Sequence, residues 1–422
     1  MFLMLKGLKS NIGDRNPLRI LWHRTKGFLA ALRYGFPARK LTVIGITGTD
    51  GKTTTVGMTA HILLENTIKC GALSTAFLSI GNKEHWNETQ KTSPSPFVIQ
   101  KFLRDCVTAQ CTHAVLECSS HGLVQGRLMF IFPNVATITN ISKEHLDYHG
   151  SMQQYIKDKS ILFTMLKSKG TKVLNMDDET FNDYSAISSL RSVSYSTKNT
   201  DASVFASQIS LEPTGSTATI DSSILHLNIP GEFNIENALC AIGCTSEFVN
   251  LENACKALQS FSGVPGRMEA IDEGQNFSVF VDFTVTPAAY EKTLLTLRKM
   301  IGVDKKILVL TGSCGDRMKE KRPIVGGLCS SLADIVVVTN EDPYTEDPQA
   351  IIDEVWNGID QHICSAKQIF DRKEAIKWIL SQAKEGDAVI LCAKGSDTTM
   401  WVSSGQIPWN EREVAREVLR AL

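Results

Sequence analysis

The chain has 422 residues, 43% of them hydrophobic and 21% charged, which suits a soluble globular protein with room for two or three domains. Its formal net charge of −1 excludes a global electrostatic case for nucleic acid, and no apolar run is long enough to span a bilayer. Eleven cysteines lie scattered with no C-x-x-C pair, which indicates neither a zinc site nor a disulfide framework and suits reduced thiols in a cytoplasmic protein.

Residues 1–40 are the one biased segment. They hold nine basic side chains (Lys6, Lys9, Arg15, Arg19, Arg24, Lys26, Arg33, Arg39 and Lys40) against Asp14 alone, interleaved with Leu, Phe and Trp22. A signal peptide needs an uninterrupted apolar core and a small-residue cleavage site, and neither is present. Residues 18–34 read as a basic amphipathic helix. Either it packs against the neighbouring domain with its charges solvated, or residues 1–35 make peripheral contact with an anionic membrane surface.

Residues 41–46 are an apolar run that predicts a buried strand, and residues 56–64 predict a helix. Between them stands Thr-Gly-Thr-Asp-Gly-Lys-Thr-Thr, residues 47–54. A strand, a glycine-rich turn and a Lys-Thr pair opening a helix make a phosphate cradle. Backbone N–H groups of Gly48, Thr49, Gly51 and Thr54 and the helix dipole face the anion, Lys52 reaches the β/γ-phosphates, and Thr53 ligates Mg²⁺. The strict pattern wants its first glycine where Ile46 stands, and Gly45 comes one place early.

Further strands are predicted at 114–117, 135–140 and 172–175, separated by helices at 97–109 and 151–167. This alternation implies a parallel sheet with helices on its faces. Residues 193–230 change period and read as short antiparallel strands, with helices at 235–248 and 251–261 after them. Residues 262–266 read as an interdomain linker. Strands at 278–282, 306–311, 335–339 and 388–392 then alternate with helices near 287–300, 321–332, 348–358 and 372–384, predicting a second, Rossmann-like α/β domain. The expected organisation is a basic amphipathic segment at 1–40, a central ATP-binding domain at 41–262 and a C-terminal domain at 263–422.

Open α/β sheets bind ligands beyond the C-terminal ends of their strands. Glu117 ends one strand and Asn140 another, with His145 on the loop beyond it. A carboxylate and an imidazole beside a phosphate cradle suit one or two Mg²⁺ ions.

In combination these residues resemble a family. The chain is similar to the Mur ligases, and in particular to the UDP-N-acetylmuramoyl-tripeptide synthetase branch, over roughly residues 40–420. The resemblance rests on Gly-Ile-Thr-Gly-Thr-Asp-Gly-Lys-Thr-Thr54, Thr92-Ser-Pro94, Glu117-Cys-Ser-Ser-His-Gly-Leu-Val-Gln-Gly-Arg127, and Thr139-Asn-Ile-Ser-Lys-Glu-His-Leu-Asp-Tyr-His-Gly150. Tyr155-x-x-x-Lys159, Gly231-Glu-Phe-Asn-Ile-Glu-Asn237, Pro265-Gly-Arg-Met-Glu269, Gly315-Asp-Arg317, Lys321-Arg-Pro323 and Arg412-Glu-Val-Ala-Arg416 add to it.

The resemblance implies an ADP-forming ligase of peptidoglycan precursor synthesis. It would activate the carboxylate of a UDP-MurNAc-dipeptide as an acyl phosphate and couple it to a free amino acid. Lys52, Glu117, His145 and Lys159 would be catalytic, with Thr53, Glu117, His145 and a CO2-derived carbamylated Lys159 around Mg²⁺. Asn237, Arg267 and Asp282 would hold ATP. Thr92, Ser93, Ser119 and Arg127 would grip the muramoyl peptide, while Arg317, Glu341, Asp342, Tyr344 and Asp397 would face the amino acid. The rival readings are a folylpolyglutamate-like or poly-amino-acid ligase of the same superfamily, and a non-catalytic nucleotide-binding relative.

Three departures shape the expectation. About 40 residues precede the cradle where the family has a complete domain for the uridine nucleotide, so a shortened but active ligase is expected. The selector reads Glu341-Asp-Pro-Tyr344 where the meso-diaminopimelate branch has Asp-Asn-Pro-Arg. Tyr344 lacks that bidentate cation and two acids attract one, so lysine or ornithine is favoured over meso-diaminopimelate. Finally, Ala393-Lys-Gly-Ser-Asp397 replaces Gly-Lys-Gly-His-Glu, and Val285 replaces a His.

Overall fold

The computed structural model describes residues 15–89 and 91–422, so the expectations resting on Lys6, Lys9 and Asp14 lie outside the described residues. Two units emerge. The first contains the chain up to Ile141, His145–Phe205 and Asn237–Ala257; the second contains Ser142–Glu144, Ala206–Glu236 and Leu258–Leu422.

In the first unit, helix α1 (Pro17–Arg33) starts on the Asn16 side chain with proline at its first position. It turns its small residues inward: Gly27, Ala30 and Ala31 are buried, and a Cβ on Gly27 would meet the Gly126 carbonyl oxygen at 2.7 Å. Its large apolar residues Leu18, Leu21, Trp22 and Leu32 face outward. That outward face is where the expected surface contact would have to be made. Among the described residues no helix is long and apolar enough to cross a membrane.

Strand β1 (Thr42–Thr47) follows a short 3₁₀ turn, and helix α2 (Lys52–Glu65) follows β1. Next come β2 (Cys70–Leu73), β3 (Phe77–Ile80), β4 (Lys83–Trp86), α3 (Pro96–Thr108), β5 (His113–Glu117), α4 (Ser120–Val124), β6 (Val135–Ile138), α5 (Leu146–His149), α6 (Met152–Thr164), β7 (Thr171–Asn175), α7 (Phe181–Ser185) and β8 (Arg191–Ser196). The sheet order is β8-β7-β6-β1-β5-β2-β3-β4, parallel from β8 to β2 and closed by the antiparallel β3–β4 hairpin. The central strands are buried on both faces, as their continuous apolar runs require. Register places Ile46 beside Glu117 and Thr47 beside Ile138, so the turns after β1, β5 and β6 leave the sheet at one edge.

Strand β9 (Val204–Glu212) enters beside β8 and continues into the expected antiparallel meander with β10 (Gly215–Ile220) and β11 (Ser223–Leu227). Helices α8 (Glu232–Thr245) and α9 (Leu251–Leu258) follow.

The second unit carries a six-stranded sheet of order β12-β13-β17-β14-β15-β16, built from Glu269–Ala270, Ser278–Val281, Ala388–Leu391, Ile307–Thr311, Ile335–Val338 and Ser365–Gln368. Only the short β12 is antiparallel. Helices α10 (Pro287–Ile301), α11 (Lys321–Leu332), α12 (Pro348–Trp356), α13 (Arg372–Gln382) and α14 (Glu411–Ala421), with the hairpin β18–β19 (Thr399–Val402, Gly405–Pro408), complete it. Two apolar layers flank this sheet. One lies under Tyr290, Leu294, Val325 and Val355, the other under Ile376, Ile379, Ala415 and Val418.

Candidate active site

The turn after β1 is held in an unusual shape by the end of β6. Gly48 has φ +145°, and a Cβ there would lie 1.9 Å from the Thr139 hydroxyl oxygen, so this position accepts only glycine. Thr139 Oγ1 donates to the Asp50 carbonyl at 2.6 Å, and the Asn140 side chain takes the Asp50 N–H at 3.0 Å. Gly51, at φ +79°, opens α2 with no side-chain cap. The helix dipole of α2 favours an anion at this end. The Asn237 side chain backs onto Gly51 and accepts from Thr55 Oγ1 at 3.3 Å.

Lys52 curls back so that Nζ donates to the Thr49 carbonyl at 2.7 Å. Thr53 Oγ1 donates to Glu117 Oε2 at 3.0 Å, with both side chains buried. Glu117 is also gripped by Thr75, whose N–H donates at 2.6 Å and whose hydroxyl lies 3.0 Å from Oε1. Thr75 was missed by sequence reasoning because β2 is too short to stand out, although its place just past a strand end is the available signal. From Glu117 a polar chain runs outward. The Thr75 hydroxyl donates to Thr92 Oγ1 at 2.9 Å, Ser93 Oγ takes the Ser119 N–H at 3.0 Å, and Arg127 donates to the Ser93 carbonyl at 2.8 Å. Thr92, Ser93, Ser119 and Arg127, chosen from separate stretches of sequence, are thus neighbours.

Lys159, on α6, is 1% exposed. Its Nζ donates to the Gly48 carbonyl at 2.5 Å and lies 4.5 Å from the Tyr155 ring centroid. Burial, aided by the nearby Lys52 charge, holds its ammonium well below the ordinary lysine range. His145 has φ +58° and sets its ring 5.0 Å from that of His121, whose basicity burial lowers to about 4. Among the described residues no three His, Cys, Asp or Glu side chains converge as a metal-holding group. The donors that do meet here, a threonine hydroxyl and a carboxylate, suit a hard cation such as Mg²⁺, and the uncapped helix end with Lys52 suits phosphate. A separate groove of about 1000 Å³, lined by Leu78, Ile80, His85, Trp86 and Phe102, contains none of these residues.

In the second unit, Glu341, Asp342 and Lys394 are all buried. Lys394 Nζ donates to Asp342 at 3.0 Å and to Asp397 at 3.2 Å, and Asp342 also takes the Trp401 N–H at 2.8 Å. Burial opposes the Lys394 charge, but Asp397, Glu341 and Asp342 outweigh it and raise its basicity. The Glu341 carboxyl is pushed up by burial. Tyr344, at φ +50°, lies 5.5 Å from the Trp401 ring, and the Arg317 guanidinium stands 5.3 Å over it. Asp282 takes the Met268 N–H at 2.7 Å and bonds the Thr284 hydroxyl, while Arg267 lies 4.4 Å over Phe283. Gly266 backs onto Gly395 so closely that a Cβ would sit 2.1 Å from the latter's carbonyl carbon.

Residues 46–245 match the Mur ligase middle domain, and residues 266–395 match the Mur ligase glutamate ligase domain. A Geobacillus kaustophilus UDP-N-acetylmuramoyl-L-alanyl-D-glutamate–2,6-diaminopimelate ligase is 32% identical over 408 residues, covering 94% of this chain and 82% of the relative. The chain belongs to the Mur ligase family. A UDP-N-acetylmuramyl-tripeptide synthetase from Roseiflexus is 35% identical over 421 residues, covering 93% and 81% of the two chains. A solved 2,6-diaminopimelate ligase structure superposes with TM-score 0.63 at 28% identity, covering 90% of this chain and 78% of that one. The chain is therefore an ATP-dependent, ADP-forming amide ligase that adds an amino acid to a UDP-MurNAc peptide.

These relatives overturn the preference for lysine or ornithine. Those from Geobacillus, Nostoc and Clostridium tetani are named for 2,6-diaminopimelate. The physical error lay in counting Glu341 and Asp342 as available anions. Lys394 already engages Asp342 and Asp397, and burial raises the Glu341 carboxyl. The Arg317 guanidinium stands over the Tyr344 ring.

Proposed function

We propose that the chain couples the terminal carboxylate of a UDP-MurNAc-dipeptide to 2,6-diaminopimelate. The carrying observation is that Lys52, Thr53, Glu117 and Lys159 meet around one glycine turn, with Thr92, Ser93 and Ser119 adjoining Glu117. In this reading a carboxylate oxygen attacks the γ-phosphorus and ADP leaves. The amino group of the second substrate then attacks the acyl phosphate carbon, forming the amide, and inorganic phosphate leaves with the electron pair of the broken C–O bond. Lys52 and the N-terminus of α2 neutralise phosphate charge, so the chemistry needs positioning rather than a protein nucleophile.

Thr53, Glu117 and His145 would hold Mg²⁺, which when bound supplies charge neutralisation at the γ-phosphate. The neutral amine that burial favours at Lys159 is the form that takes up CO2, and the resulting carbamate would add an anion beside the Gly48 turn. Asn237 would lie near the adenine; Arg267 and Asp282 would contact phosphate and ribose. In the amino-acid site, Asp397 and Glu341 would meet the reacting end and Arg317 the distal carboxylate of diaminopimelate, a role a guanidinium fills bidentately. Residues 41–262 are assigned to ATP and 263–422 to the amino acid.

Phosphate release is measured with ATP, Mg²⁺, UDP-MurNAc-L-Ala-D-Glu and each candidate amino acid. Turnover is expected with 2,6-diaminopimelate, and absence of turnover with every amino acid refutes the proposal. Trapping of labelled bicarbonate on wild type but not on Lys159→Ala tests the carbamate separately.

A further inference from the structure

Four side chains that this reaction does not use form one polar line through the first unit. His149, the last residue of α5, lies with Nε2 3.0 Å from Ser120 Oγ and Nδ1 2.5 Å from Asp158 Oδ2. Arg15, just ahead of α1, donates to both Asp158 oxygens at 2.6 and 3.0 Å, and Gln154 donates to Oδ1 at 2.8 Å. Ser120, His149 and Asp158 are each 3% exposed. Burial works against the Asp158 charge, but hydrogen bonds from His149, Arg15 and Gln154 hold its carboxyl below the usual range. An ionised carboxylate only accepts, so the His149 hydrogen facing it sits on Nδ1.

The order Ser–His–Asp is that of a nucleophile relay, in which the serine oxygen must be open to substrate. Here Ser120 is buried at the head of α4, and Arg15 closes the far end with a fork of two hydrogen bonds. The line is built for holding. Its ends decide what it holds: Ser120 follows Ser119, and Asp158 precedes Lys159 on α6. Aromatic contacts stiffen the middle, with the His149 ring 4.7 Å from Tyr155 and 5.3 Å from His121, and Arg15 5.7 Å over Tyr148.

We propose that His149 and Arg15 are positioning residues, clamping the turn that presents Ser119 to the helix that presents Lys159. Arg15, ahead of α1, thereby becomes part of the catalytic apparatus without touching a substrate. The assignment rests on the functional reading above, in which Ser119 touches the muramoyl peptide. Displacement of reacting groups by about 1 Å costs on the order of 100-fold in rate, so such a clamp has a kinetic signature.

The test uses the full chain with Arg15→Ala, Arg15→Lys and His149→Gln. Hydrogen exchange is expected to quicken in residues 119–125 and 152–164 of Arg15→Ala. The KM for UDP-MurNAc-L-Ala-D-Glu should rise about tenfold while the KM for ATP stays within about twofold. Arg15→Lys should recover only part, because the fork becomes a single contact. Unchanged exchange in both segments overturns the proposal, as does a parallel rise of both KM values with a falling Tm. A wild type that turns over no muramoyl peptide refutes the functional reading instead, and the exchange data still decide the clamp.

Discussion

Lys159 donates to the carbonyl oxygen of Gly48 across 2.5 Å, placing a buried amine against the turn whose Thr49 carbonyl accepts from Lys52. Burial, and after it the like charge of Lys52, lowers the basicity of this deeper amine. In the unfolded chain this amine keeps its proton up to its ordinary value of 10.5. In the folded chain it loses the proton well below that. Between the two values the unfolded state binds more protons, so this group's contribution to stability rises with pH across that window. In CO2-free buffer, the urea midpoint of wild type should therefore gain on that of Lys159→Met as the pH rises toward 10.5. A constant difference would show that the buried amine stays charged.

Glu117 receives hydrogen bonds from Thr53 and from the Thr75 N–H, with the Thr75 hydroxyl 3.0 Å from Oε1. Glu117→Gln keeps the shape but removes the anion. It should lower kcat by about 100-fold and raise the Mg²⁺ concentration needed for half-maximal rate. Thr75→Val, which only frees the carboxylate to move, should have the smaller effect of about tenfold. Magnesium titrations of both variants read this out, and an unaltered Mg²⁺ requirement in Glu117→Gln would remove the carboxylate from the metal assignment.

Arg317 stands over Tyr344 with one hydrogen bond to the Asp316 carbonyl oxygen at 2.9 Å. If this guanidinium meets the distal carboxylate, Arg317→Ala should raise the KM for 2,6-diaminopimelate by about tenfold or more and leave the KM for ATP unchanged. Equal rises for both substrates would point to a general loss of structure.

Arg372 and Glu411 form a fully buried pair at 2.6 Å, and Arg372 also donates to the Cys392 carbonyl at 2.6 Å while Trp409 donates to Glu411 at 2.7 Å. Removing one partner strands the other charge. Glu411→Ala should destabilise the protein by about 3–5 kcal/mol. Denaturant unfolding checks this, and a loss under about 1 kcal/mol would mean water reaches the site.

The sequence carried the sheet, its glycine turn and its strand-end residues because these depend on local patterns: continuous apolar runs, Gly-Lys-Thr, a carboxylate closing a strand. Central strands and most helices fall within a few residues of where periodicity puts them. The β3–β4 and β18–β19 hairpins were not read, since their short strands are largely exposed or half-buried and carry little alternation. The amino-acid preference failed for a different reason. Glu341 and Asp342 were counted as available anions from residue type, whereas burial pushes the Glu341 carboxyl up and Lys394 already engages Asp342. Likewise nothing near Arg15 in sequence announces Asp158, 143 positions away. Such pairings exist only once the chain has folded.

The contact of Gly266 with Gly395 carries a consequence for how this protein can change over generations. Either glycine gaining a side chain would strike backbone of the other loop. The Pro265–Gly266–Arg267 turn and the Ala393–Lys394–Gly395 turn are thus free to drift only as a matched set. A lineage that moved one turn would have to move the other, so Arg267 and Lys394, each beside one of the two glycines, would shift together.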